Sequence, residues 1–109
     1  MLRYLFFLPI IFIALSASAQ TSYTAAAVFS HNDYAQAIPF LNAYQNQVGF
    51  IEADVFLRDN ALLVAHTEKE IDKNKTLQKL YLDPLKEKIA THEGFVYPDH
   101  ERTLTLMID

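Results

Sequence analysis

The stretch FIEADVFL, residues 50–57, is the part of the sequence on which the fold turns. It is rich in β-formers and reads as a strand. Side chains alternate faces along a strand, so Glu52 and Asp54 point one way, while Ile51, Ala53 and Val55 point the other way toward covering helices. Two carboxylates therefore share one face of an otherwise apolar segment. Burying such a pair without a counter-charge costs several kcal/mol per ion. The two groups must be solvated, protonated or neutralised by a cation. An edge strand with one wet face satisfies this requirement, and so does a metal site.

The flanking segments place that strand in a repeating pattern. Upstream, AAAVFSH (residues 25–31) is a short apolar run ending in turn residues, as expected of a buried strand. AIPFLNAYQNQV (37–48) sets Phe40, Leu41, Tyr44 and Val48 at helical spacing, with Pro39 acceptable in a first turn and Gly49 as a stop. Downstream, DNALLVAH (59–66) follows an Asp59-Asn60 turn as a hairpin-like extended piece. Residues 67–75 read as a loop. Leu77, Leu80, Leu85 and Ile89 predict helix over 76–90, with Pro84 splitting it or beginning a second helix after Asp83. HEGFVYPDHERT (92–103) is a loop, and LTLMID (104–109) is a last strand. Strand, helix, strand, helix, strand is the opening of an α/β fold with a parallel sheet. It is either a small open sheet or the front of something larger.

The first residues, MLRYLFFLPIIFIALSASA, combine a positive start at Arg3, an apolar run from Tyr4 to Leu15 and a small-x-small site at Ala17–Ala19. This pattern predicts a signal peptide over 1–19, and hence a secreted or periplasmic protein. The run is shorter than the roughly 20 apolar residues of a membrane span, so no stable membrane insertion is expected after cleavage. The net charge is −4, and loss of Arg3 makes it one unit more negative. An acidic surface argues against nonspecific binding to nucleic acid or anionic lipid. With no cysteine, there is neither a disulfide framework nor a lipid-attachment site. Asn74-Lys75-Thr76 is a glycosylation sequon, relevant only in a eukaryotic secretory pathway.

Chemistry-bearing residues collect at strand ends. In LTLMID, Thr105, Met107 and Asp109 share one face, which puts Asp109 at the carboxyl end on the polar side. His31 follows the first strand and His66 ends LLVAH. In parallel α/β folds, sites form at the carboxyl ends of strands. Three carboxylates without Cys suit a hard divalent cation, Mg²⁺ or Ca²⁺. Two imidazoles beside it suit proton transfer near neutral pH, as phosphoryl transfer requires. His92 and His100 are assigned to ordinary loop positions.

With these residues in place, the chain resembles the glycerophosphodiester phosphodiesterase and phosphatidylinositol phospholipase C superfamily of TIM barrels. The matching residues are His31, the Glu52-Ala53-Asp54-Val55 strand, His66 and Asp109. Within it, the chain is similar to the branch named for "altered inheritance of mitochondria", through SHNDY (30–34), EADV (52–55), LLVAH (62–66) and TLQKLYLDPL (76–85). The resemblance implies an incomplete (βα)₈ barrel over 20–109, comprising about two βα units and a third strand. It implies His31 and His66 as an acid/base pair, and Glu52, Asp54 and Asp109 as ligands of one divalent cation. The implied substrate is a small-molecule or lipid-headgroup phosphodiester. The glycerophosphodiesterases usually carry Arg after the first His, and this chain has Asn32 there. Asn32 can hydrogen-bond a substrate but cannot form a charged bidentate clamp. Two functions therefore remain open: an exported metal-dependent phosphodiesterase, or an inactive barrel or fragment that binds a phosphate or lipid headgroup.

Overall fold

The computed structural model describes residues 22–109; the predicted signal segment lies outside them. Among the described residues, five strands and two α-helices form a mixed α/β arrangement. β1 (Phe29–Ser30), β2 (Phe50–Ala53) and β5 (Thr105–Ile108) make a parallel sheet in the order β1-β2-β5. β3 (Val55–Arg58) and β4 (Ala61–Val64) form an antiparallel hairpin beside it. Pairing of Ser30 with Ile51, and of Glu52 with Met107, brings the carboxyl ends of all three parallel strands together. Among the described residues, no helix is long and apolar enough to cross a membrane.

The alternation in FIEADVFL is borne out. Ile51 and Ala53 are fully buried, while Glu52 and Asp54 face the other side and remain partly exposed. The segment is two strands, however, because Asp54 leaves the ladder. Its carbonyl accepts from the Ala65 amide at 3.2 Å, and Val55 donates instead to the Asp109 carbonyl at 2.8 Å. The chain then turns through Asp59 and Asn60, at φ 50° and 62°. Paired positive φ values are what a tight two-residue hairpin needs, and Asp and Asn tolerate them.

The first strand is shorter than expected. Ala25–Ala27 closes a 3₁₀ turn, with Val28 donating to the Ala25 carbonyl at 3.0 Å, and pairing begins only at Phe29. Small alanines offer a sheet little to pack, so the local turn wins. The Ala25 carbonyl also receives the Gly49 amide at 3.2 Å. A Cβ on Gly49 would sit 1.9 Å from the Ala26 carbonyl oxygen. Gly49 is thus required for backbone approach and does not stop a helix. The helix itself, α1 (Leu41–Gln45), ends earlier, and Gln47 at φ 52° carries the chain out.

Pro84 acts as expected. It cannot donate to Leu80, so the turn before it widens into a π-helical segment, Gln78–Leu82, and α2 (Asp83–Thr91) starts with Pro in its first turn. Leu77 and Tyr81 from this region pack with Phe40, Ala43, Val48, Ile51, Ala53 and Val64 as the core. The loop over 92–103 is anchored by a residue the sequence pattern did not single out. Tyr97 is buried, donates to the Val48 carbonyl at 2.9 Å and stacks on Tyr44 at 5.0 Å.

Candidate active site

The site is built on the loop that leaves β1, and one buried carboxylate shapes that loop. Asp33 is fully buried. Its Oδ1 accepts from the Ser30 hydroxyl at 2.7 Å; its Oδ2 accepts from the Phe40 amide at 2.6 Å and the Tyr81 hydroxyl at 2.9 Å. Burial, with the Asp33 carboxylate adding to it, pushes the Tyr81 phenol far above its ordinary range, so it stays a donor. These bonds tie the loop to α1 and to the π-helical turn. They also hold two uncommon backbone conformations, Asn32 at φ 50° and Phe40 at φ 63°, the latter compensated by burial of its ring.

The anchored loop presents His31, Asn32 and Tyr34 to the end of β2. His31 Nε2 lies 3.2 Å from Glu52 Oε2, and the Asn32 backbone amide donates to the same oxygen at 3.0 Å. Tyr34 donates to Asp54 Oδ2 at 2.6 Å, and His66 Nδ1 lies 3.1 Å from that oxygen. The Tyr34 hydroxyl, principally, and His66 after it hold the Asp54 carboxyl below the usual carboxylate range, against the opposing effect of burial. In turn, burial first and the Asp54 bond second push the Tyr34 phenol well above its ordinary value. One oxygen from each of Glu52, Asp54 and Asp109 lies within 4.8 Å of the other two. Asp109 reaches them because its backbone extends the ladder past β5, donating to the Ala53 carbonyl at 3.2 Å.

Every site residue expected from the sequence is therefore at this one end: His31, Asn32, Glu52, Asp54, His66 and Asp109. His92 instead meets the Tyr44 hydroxyl at 3.3 Å, and His100 stacks on Phe95. The Asn32 side chain is engaged by Tyr34, with Oδ1 at 2.9 Å from the hydroxyl. Asp33 and Tyr34 were not assigned roles from the sequence. They lie in SHNDY, yet nothing local distinguishes a buried Asp from a turn Asp, since Tyr81 is 48 residues away. The cleft beside His66, of about 450 Å³, is lined by Asn32, Tyr34, Ala65, Glu70 and Lys75 among others. A larger groove of about 620 Å³ touches His31 but runs along the outside of β1 and α1 past Val28, Phe29 and Val48, away from the carboxylates. The cleft borders His66 and the groove borders His31, and none of the three carboxylates Glu52, Asp54 and Asp109 lines either one.

The family model described as "AIM6-like phosphodiesterase domain" matches residues 18–109. The "Altered inheritance of mitochondria protein 6 homolog" of Arthroderma benhamiae is 45% identical over 53% of this chain and 20% of its own length. "Altered inheritance of mitochondria protein 6" of Kluyveromyces lactis is 34% identical over 75% of this chain and 26% of its own length. The protein of that name in Lachancea thermotolerans is 37% identical over 75% of this chain and 22% of its own length. The chain thus spans about a fifth to a quarter of these relatives. No solved structure matches. Since the family match runs through all five strands and all the residues gathered at their ends, the chain belongs to the AIM6-like phosphodiesterase domain family.

Proposed function

We propose that this chain is the amino-terminal part of an exported (βα)₈ barrel that hydrolyses a phosphodiester with the help of one divalent cation. The carrying observation is a pairing: His31 and His66 each meet a different member of one acidic trio, at 3.2 Å from Glu52 and 3.1 Å from Asp54. The trio fits a cation by its chemistry, since all three donors are carboxylate oxygens. It also fits by spacing, because two Ca²⁺–oxygen bonds of about 2.3–2.6 Å span no more than about 5 Å. Glu52, Asp54 and Asp109 would hold the Mg²⁺ or Ca²⁺. When bound, the cation would offset the charge that builds on the phosphate oxygens.

The chain's own groups supply the proton transfers. One imidazole takes the proton of the attacking hydroxyl or water, and the other gives a proton to the departing alkoxide oxygen. Both rings are largely solvent-facing, with side-chain exposures of 65% and 62%, so both can reach a bound substrate. Lys75 and Asn32 line the cleft beside His66, where an anionic headgroup would sit. The test is hydrolysis of glycerophosphodiesters and phosphoinositides by the full-length protein. Turnover should vanish in chelator and in a His31→Ala variant, and unchanged turnover in either would overturn the mechanism.

A second reading is a binding protein without turnover. Its support is Asn32, which stands where the resembled phosphodiesterases carry Arg and whose side chain is already engaged by Tyr34. Calorimetric binding of a headgroup phosphate, with no hydrolysis, would favour it.

A further inference from the structure

The Tyr34 hydroxyl has one proton and three neighbours within reach: Asp54 Oδ2 at 2.6 Å, the Asn32 amide at 2.9 Å and His66 Nδ1 at 3.3 Å. Only one of them can receive the proton. The carboxylate oxygen is nearest, and a hydrogen bond to an ionised acceptor is the strongest available, so the proton goes to Asp54. The tyrosine oxygen is then an acceptor toward the other two. An amide exchanges its oxygen and NH₂ by a half-turn, and only the orientation with NH₂ toward Tyr34 avoids setting two acceptors face to face. The same logic fixes His66. Its Nδ1 faces Asp54 Oδ2 at 3.1 Å and the Tyr34 oxygen, both of them acceptors, so Nδ1 must carry a hydrogen.

We propose that Tyr34 is a positioning residue: together with Asp54 it holds His66 in the Nδ1–H tautomer, so that Nε2 is the atom that exchanges a proton with the substrate. Where it speaks of substrate, the proposal rests on the phosphodiesterase reading; the tautomer itself does not. As a base, the ring presents the Nε2 lone pair, and as an acid it presents an Nε2–H. In neither form does Nδ1 take part. Second-tier hydrogen bonds of this kind commonly decide the tautomer and orientation of a working histidine. Tyr34 also occupies Asp54 Oδ2, which leaves Oδ1 as the oxygen that neither ring engages.

The tautomer can be read directly from ¹⁵N ring spectra of His66 in the full-length protein, without added cation, at a pH where the ring is neutral. The expected pattern is hydrogen on Nδ1. Tyr34→Phe keeps the ring and removes only the hydroxyl. It should yield a mixture of tautomers and lower kcat for a phosphodiester roughly 10- to 100-fold, with KM little changed. A wild-type spectrum with hydrogen on Nε2 overturns the proposal whatever the variant does, so the test does not depend on the variant folding. A folded Tyr34→Phe protein with the wild-type tautomer and kcat also overturns it. A tautomer change in the variant, with no hydrolysis by wild type, supports the positioning role while removing the phosphodiesterase reading.

Discussion

Asp33, in the loop after β1, and Asp54, directly after β2, follow neighbouring parallel strands, and their surroundings are opposite. Asp33 is sealed, and its two oxygens take three donors from Ser30, Phe40 and Tyr81. Asp54 is partly exposed and crowded by two further carboxylates, and its two bonds converge on a single oxygen. A carboxylate can accept about four hydrogen bonds. Asp33 spends that capacity on the fold. Asp54, Glu52 and Asp109 leave much of theirs unused by the described residues. Identical side chains that follow neighbouring strands thus separate into an anchor and a candidate ligand, according to whether the protein itself satisfies them.

The contrast predicts unequal costs of substitution. Asp33→Ala strands three donors, two of them buried, and should lower stability by about 3 kcal/mol, measured as a shift in urea midpoint. A cost below that of Asp54→Asn would break the comparison. Tyr81→Phe removes only one of the three donors and should cost roughly 1–2 kcal/mol in the same assay. At the other carboxylate the sign of the test reverses. Saturating Mg²⁺ or Ca²⁺ should stabilise the wild type, by about 1.4 kcal/mol at ten times Kd, and Asp54→Asn should abolish that gain. In the absence of cation, Glu52→Gln should change stability by less than about 0.5 kcal/mol, since it relieves like-charge crowding at a partly solvated site. A large loss there would show that Glu52 anchors the fold as Asp33 does.

The last test concerns the core and serves as a control. Burial pushes the Tyr97 phenol up to about 12, from an ordinary value of 10.0. A raised folded-state pKa means that the native protein holds the proton more tightly than the unfolded chain does. The associated stability is complete below about pH 10 and is lost as pH rises toward about 12. Thermal melts over that window should fall more steeply for wild type than for Tyr97→Phe. Equal slopes would contradict the burial of this ring.

Much of the site was legible because it depends on period-two alternation. Glu52 and Asp54 had to share a face once Ile51 and Ala53 were assigned to the core, and Asp109 followed from the same rule on β5. The histidines were legible from their positions after apolar runs. Three features were not. The break at Asp54 depends on Ala65 and Asp109, which compete for the backbone groups on either side of it. The role of Gly49 depends on the approach of Ala26, 23 residues earlier in the chain. The three-alanine segment before β1 was apolar enough to predict a strand, yet local turn closure was cheaper than pairing.

By itself, then, the sequence determined the alternation of strands and helices, the polar face of β2 and β5, and the set of residues that meet there, because each follows from local periodicity and from the polarity of strand ends. Only the tertiary structure decided which carboxylate is anchor and which is open. That distinction depends on Tyr81, Phe40 and Tyr34 arriving from elsewhere with their donors, and hydrogen-bond satisfaction across the core leaves no trace in the spacing of SHNDY or FIEADVFL.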